Sequence, residues 1–505
     1  MAEQREHIVM LPLMAQGHVI PFLALARNIQ QHTDFSISIC STPLNIHYLR
    51  SALNSSNNSD LNNSNNIINL IELPFNSIDH GLPPNTENTD VVPLTQLIKL
   101  FHSTTSLENP LRDFISKFIS QHGRPPLCII SDVFLGWAVD VAESFGIIPV
   151  TFSTGGAYGT AAYVSIWQNL PHTETDSDEF NAPGFPDSCF FHKTQLHKFV
   201  READGADEWS KFFQPQISHS MRSSGWICNT AKEIEPSGLE LLQNYIKLPV
   251  WCLGPLLPPK MLKDDISSNG FSFEQRTGKV PGISPEKCIE WLDSHAEHSV
   301  LFISFGSQNT ITATQMMELA LGLEASGKPF IWAIRPPFGF DIKGEFKPEW
   351  LPEGFEERVT ATGKGLLVHK WAPQLEILCH RSTGAFLSHC GWNSVMESLS
   401  RGVPIIGWPL AAEQSYNSKM LEEEMGVCVE LTRTLEGNLE AEQAKCVIQL
   451  VLGKSGKGMD MKRKAVLVGK QIREAVRVTN DGDKGSSLKA MDSFVEFIMS
   501  KRKEM

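Results

Sequence analysis

Along the chain, short runs of uninterrupted apolar residues alternate with longer stretches in which apolar residues recur every three to four positions. The first run, HIVMLPL at 7–13, ends at a glycine-containing turn, and VIPFLALARNIQQH at 19–32 then carries the helical spacing. FSISICS at 35–41, LCIISDV at 127–133 and IIPVTFS at 147–153 repeat the strand pattern. Between two of them, PLTQLIKLFHSTTSLENPLRDFISKFIS at 93–120 reads as helix. Strands that are apolar throughout belong to a parallel sheet covered by helices on both faces.

At 254–285 both periods vanish into Pro, Gly, Ser and charged residues, which predicts an interdomain linker. The alternation then restarts with SVLFISFGS, the helix ATQMMELALGLEASG, and the strands PFIWAIR, GLLVH, GAFLSHC, VPIIGWP and GVCVEL. The expected architecture is α/β, with one doubly wound domain over 1–253 and a second over 286–484. A closing amphipathic helix at 485–505 is expected to pack back toward the first domain. No sequence repeat relates the halves. Two such domains facing each other leave a cleft at the carboxyl ends of their strands, where ligands bind in these sheets.

Composition adds constraints. At 505 residues the chain is long enough for two cores, and 41% hydrophobic with 20% charged residues is a folded composition. Lys and Arg number 44 against 57 Asp and Glu, a net charge of −13 with no long basic run, which excludes nucleic acid as a main partner. The segment MAEQREHIVMLPLMAQGH has too short an apolar run for a signal peptide, and no stretch approaches the ~20 apolar residues that span a bilayer. The expectation is a cytoplasmic monomer. Ten Cys without a Cys-x-x-Cys pair fit buried thiols. The sequons at Asn54, Asn57 and Asn62 fall in the Asn/Ser-rich NSSNNSDLNNSNN, which reads as a flexible surface loop.

Candidate chemistry concentrates in AFLSHCGWNSVMESLSRG, residues 385–402. A strand is expected to end near Cys390 and a helix to begin at Asn393 or Ser394, either of which makes a good N-cap. Capping accounts for one of them, not both, and leaves His389 and Trp392 unexplained. A helix N-terminus directed into a cleft favours an anion, because its unpaired N–H groups and its dipole both attract negative charge.

The wider stretch from Trp371 to Gln414, WAPQLEILCHRSTGAFLSHCGWNSVMESLSRGVPIIGWPLAAEQ, closely resembles the signature box of plant UDP-sugar-dependent glycosyltransferases of secondary metabolism. QGHVIPFLALA, SDVFLGWAVDVA and VLFISFGS resemble the same family, in the same order along the chain. The resemblance implies a GT-B fold, with the acceptor on the N-terminal domain and the nucleotide sugar on the C-terminal one. It places Trp371 on the uracil, the Ala372 backbone at its edge, Gln374 beside the nucleoside and Glu397 on the ribose hydroxyls. Ser307, His389, Asn393 and Ser394 would hold the diphosphate, while Trp392, Glu413 and Gln414 would reach the sugar. Glu413 stands where the family more often has Asp, and Gln at 414 goes with glucose in this family. His18 would take the acceptor proton, Asp132 would orient it, and Thr154 would touch the sugar.

The chemistry of these residues agrees: an indole offers a flat apolar face, and a carboxylate suits a pair of hydroxyl donors. The implied reaction is inverting transfer, with the UDP-sugar as co-substrate and neither cofactor nor metal. The two Asp-x-Asp tripeptides, at Asp176–Asp178 and Asp481–Asp483, follow no apolar strand, and Cys379, His380, His389 and Cys390 lack zinc spacing. A catalytically silent nucleotide-sugar sensor, or the same enzyme with another donor, are the rival readings. Phe134, Tyr158, Tyr163 and Phe199 fit an apolar flavonoid, phenolic or terpenoid acceptor, and core packing explains them equally.

Overall fold

The computed structural model describes residues 5–56, 68–264, 273 and 282–504. Of the sequon-bearing loop, Asn54 falls in the last turn of the helix Pro43–Ser56, and Asn57 and Asn62 lie outside the described residues.

The strands are, in chain order, β1 (His7–Leu11), β2 (Ser36–Ser41), β3 (Ile68–Glu72), β4 (Cys128–Asp132), β5 (Ile148–Ser153), β6 (Glu179–Asn181), β7 (Phe190–His192), β8 (Trp226–Cys228), β9 (Val250–Cys252), β10 (Val300–Ser304), β11 (Phe330–Ile334), β12 (Gly365–His369), β13 (Thr383–Ser388), β14 (Ile405–Gly407) and β15 (Cys428–Glu430). They form a parallel sheet of order β3-β2-β1-β4-β5-β8-β9, a second of order β12-β11-β10-β13-β14-β15, and the small antiparallel hairpin β6-β7. This is the GT-B arrangement of two Rossmann-like domains.

The uninterrupted apolar runs have a direct cause. Ile8 and Met10 of β1 enter one core and Val9 and Leu11 another, because successive side chains leave opposite faces of a sheet that is buried on both. In β10, Leu301 and Ile303 face one core and Val300 and Phe302 another, for the same reason. Each sheet reverses its strand order beside its first strand, at β1/β4 and at β10/β13. A crevice opens there at the carboxyl ends of the strands, and the candidate residues gather at these two points.

Two local expectations are corrected, and the predicted linker gains detail at its start. The segment 93–120 is not one helix but two, Leu97–Ser103 and Glu108–His122, joined by a 3₁₀ turn at Thr104–Leu107. Ser103, Thr104, Thr105 and Ser106 each donate a hydroxyl to the carbonyl three residues back, which tightens the chain there. The start of the supposed linker is pinned: Arg401 Nη1 donates to the carbonyls of Met261 (3.1 Å) and Lys263 (2.9 Å), and Arg473 and Arg477 pair with Asp264. The strand near Cys390 stops at Ser388, and the following helix is Trp392–Ser400 with Gly391 as its N-cap.

The chain closes with helices Ala441–Val451, Gly456–Glu474 and Ser486–Glu504. The last lays Met491, Phe494 and Ile498 into the core beneath β1 and β2, with Phe494 and Phe497 against Trp251. Its apolar stripe therefore covers one face of the N-terminal sheet.

Candidate active site

His18 sits in the first turn of the helix Gln16–His32, which follows β1, and Asp132 is the last residue of β4. Because β1 and β4 are parallel neighbours, the fold brings together two residues 114 positions apart: His18 Nδ1 lies 2.6 Å from Asp132 Oδ2. The carboxylate is fully buried and the imidazole side chain 22% exposed, so the pair is anchored from below and open at Nε2. With Nδ1–H donated to the carboxylate, Nε2 keeps a lone pair and becomes the basic atom. Asp132 Oδ1 accepts from the Phe134 N–H at 3.1 Å, which fixes the carboxylate plane. Thr154 Oγ1 stands 3.4 Å from the same Nδ1.

Burial lowers the His18 pKa, but the adjacent Asp132 carboxylate, its hydrogen bond and the charge of Glu413 outweigh it, so the imidazole titrates above its ordinary value. Burial likewise raises the Glu413 carboxyl, against the opposing pull of its hydrogen bonds and His18. Glu413 receives the Trp392 backbone N–H and, at 3.3 Å, Asn417 Nδ2.

The second half of the site belongs to β10, β13 and the helix Trp392–Ser400. Gly391 caps this helix without a side chain, so Asn393 and Ser394 are both released from capping. Asn393 Nδ2 crosses the cleft to the Gly17 carbonyl at 3.0 Å. Gln374 Nε2 joins Ser394 Oγ (3.1 Å) and Glu397 Oε2 (2.6 Å), gathering three candidate nucleoside and diphosphate residues into one cluster. The Gln414 side-chain carbonyl accepts the Leu410 and Ala411 N–H groups, so its amide nitrogen is the polar atom left to donate.

His389 follows β13 with its ring against Gly306 and Gly391, where a side chain at either position would collide with it. Its pKa is pushed down to about 4 by burial and by nearby Arg335, so it is a neutral imidazole with one N–H to give. Its buried Nδ1 finds no partner among the described residues.

Residues 280–451 match the family described as UDP-glucoronosyl and UDP-glucosyl transferase, and residues 5–258 match the glycosyltransferase N-terminal domain. UDP-glycosyltransferase 92A1 of Arabidopsis thaliana is 42% identical over 507 aligned residues, covering 98% of each chain. Crocetin glucosyltransferase 3 of Crocus sativus is 45% identical over 88% of this chain and 90% of its own. The chain belongs to the plant UDP-glycosyltransferases. Among solved structures, this UDP-glycosyltransferase superimposes on UGT73P12 of Glycyrrhiza uralensis, complexed with glycyrrhetinic acid 3-O-monoglucuronide, with a TM-score of 0.82. The two share 26% identity over 99% of this chain and 97% of the other.

Beside the candidates stand residues that the sequence did not single out. Arg335, just past β11, donates to the carbonyls of Ser307 (2.8 Å), Gly306 (2.6 Å) and Asn309 (2.6 Å), tying down the loop that carries Ser307. Its guanidinium lies 5.6 Å from the centre of the half-buried Trp371 ring, bracing it from one side. Burial, opposed by Asp90, brings the Arg335 pKa down to about 10, so it remains charged at neutral pH. The only sequence signal was an Arg closing an apolar strand, which is common at strand ends. Ala372 packs beside the core of the same domain, and its carbonyl accepts the Gln374 N–H at 2.9 Å.

The remaining candidate residues make contacts within the protein. The indole of Trp392 is 3% exposed and donates to the Asn229 carbonyl of the N-terminal domain at 2.7 Å. Tyr158 is buried against Phe185, and Phe199 stacks on Trp209, which makes both packing residues. Phe134 is the aromatic nearest the base, its ring centre 6.1 Å from that of His18. Asp176 and Asp178 lie in bends before β6, and Asp483 pairs with Lys489 between the last two helices, both away from the cleft. No helix among the described residues is long and apolar enough to cross a membrane.

Proposed function

We propose that this UDP-glycosyltransferase moves glucose from UDP-glucose to a hydroxyl of an apolar phenolic, flavonoid or terpenoid acceptor, with inversion at the anomeric carbon. The observation that carries this reading is the His18–Asp132 pair opposite the N-terminus of the helix Trp392–Ser400, the two joined by the Asn393 bond to Gly17. His18 Nε2 takes the acceptor proton as its oxygen attacks from the face opposite UDP. Charge then grows on the leaving diphosphate, where the helix N-terminus, the neutral His389 and the Arg335-braced loop await it. These groups would meet that charge without need of a metal ion.

Two relatives support the choice of glucose and of an apolar acceptor by their names: crocetin glucosyltransferase 3, and UDP-glucose flavonoid 3-O-glucosyltransferase 7 of Fragaria ananassa, 34% identical over 83% of this chain. The silent-sensor reading is disfavoured by an intact base pair. Incubation with UDP-glucose and a panel of phenolic and terpenoid acceptors is expected to release UDP and form glucosides. Tight UDP binding with no turnover on any acceptor would establish the sensor instead.

The acid side of the pH profile offers a second check. The base acts only when neutral, so kcat/KM falls as pH drops through the raised His18 pKa. Asp132→Asn removes the main group that raises it. The acid limb therefore moves to lower pH, while the plateau rate falls by about 10²–10⁴-fold because the imidazole is no longer oriented. A limb that does not move would mean that some other group titrates there.

A further inference from the structure

Trp392, which the family resemblance places at the sugar, and Asn229, which has no role so far, are both buried at the junction of the domains. The Trp392 ring lies over Gly156, where a side chain would collide with both the indole and the Glu235 carboxylate. That carboxylate in turn accepts the Ala157 (3.0 Å) and Tyr158 (3.1 Å) N–H groups at the start of the helix Ala157–Asn169. The indole Nε1 reaches the Asn229 carbonyl at 2.7 Å. Asn229, 2% exposed, uses every polar atom of its side chain. Oδ1 accepts from the Leu256 N–H at 2.9 Å, while Nδ2 stands 3.4 Å from both the Thr154 carbonyl and Asn393 Oδ1.

These contacts close a ring. Asn393 donates to the Gly17 carbonyl beside His18, and Thr154 Oγ1 adjoins the His18 imidazole. The two strongest cross-domain members, Trp392 to Asn229 and Asn393 to Gly17, both start from the first turn of the helix Trp392–Ser400. Displacing that helix by an ångström would move the donor's anomeric carbon relative to Nε2, and near-attack geometry tolerates little such error.

We infer that the Trp392 indole and Asn229 form an interdomain positioning latch that sets the donor helix over His18. They are positioning residues: the indole acts through Asn229 and not by touching the sugar. The inference rests on the proposed base and donor assignment, and its test includes a readout that does not.

Trp392→Phe keeps an aromatic ring and the backbone N–H but loses the indole donor. Asn229→Asp keeps the acceptor for Leu256 and replaces the amide donor by an oxygen. Each is expected to lower kcat by about tenfold, with KM for UDP-glucose and the Kd for UDP within about twofold of wild type. Small-angle scattering of the unliganded variants should show a larger radius of gyration than wild type as the domains part. Wild-type kcat and compactness in Trp392→Phe would overturn the latch. Raised KM for UDP-glucose at unchanged kcat and compactness would also overturn it, by placing the indole on the sugar. Should wild type transfer no sugar, the functional reading fails by itself, and scattering still decides the latch.

Discussion

Replacing His18 by alanine lowers kcat by about 10²–10⁴-fold, the usual contribution of a positioned general base, and leaves the Kd for UDP within a few-fold. The rate falls because the carboxylates beside His18 are already committed: Asp132 lies beneath the ring, fully buried, and Glu413 is engaged by the Trp392 N–H and Asn417. Nucleotide affinity persists because the candidate UDP contacts belong to the other domain, from Trp371 through Glu397, and the Gln374, Ser394 and Glu397 cluster includes no atom of His18. Turnover by chromatography of the glucoside and UDP binding by calorimetry separate the two. Transfer by His18→Ala at the wild-type rate would remove His18 as the base.

Arg335→Met carries the second large effect, on binding and stability together. Three half-buried backbone carbonyls lose their charged donor, and each such hydrogen bond contributes about 1–2 kcal/mol net. A total of about 3–5 kcal/mol is expected, which for a domain of this size lowers Tm by roughly 10 °C. With the Ser307 loop and one face of Trp371 both unbraced, UDP affinity drops by about tenfold or more. Arg335→Lys keeps the charge, but a single ammonium cannot reproduce the planar fork that serves three carbonyls, so it recovers only part of either loss. Calorimetric Kd for UDP, measured below the variant's Tm, is the check. An unchanged Kd in the folded variant would confine Arg335 to stability.

Much of the fold was legible in the sequence because a sheet buried on both faces demands continuous apolar strands, and β1, β4, β10 and β13 each announce themselves that way. The candidate site was legible where it follows such a strand directly, as with Asp132, His389 and Ser307. Legibility failed where local propensity met a competing contact. Asn393 and Ser394 look like N-caps, but Gly391 takes that place and frees both side chains for Gly17 and Gln374. The 93–120 segment has helical spacing throughout, yet its Ser/Thr run bonds back to its own carbonyls and divides it. Trp392 lies inside a motif that suggests a ligand contact, while its indole answers to a backbone carbonyl 163 residues away.

The sequence by itself determined the two parallel sheets, the family and the residue types that can grip a diphosphate and take a proton, since these depend on local periodicity and on motifs contiguous in the chain. Only the tertiary structure decided the geometry that closes Asp132 on His18, that Arg335 braces the Ser307 loop, and that Asn229 joins the domains. Those relations follow from strand order and domain docking, which bring together atoms whose separation along the chain carries no periodic signal.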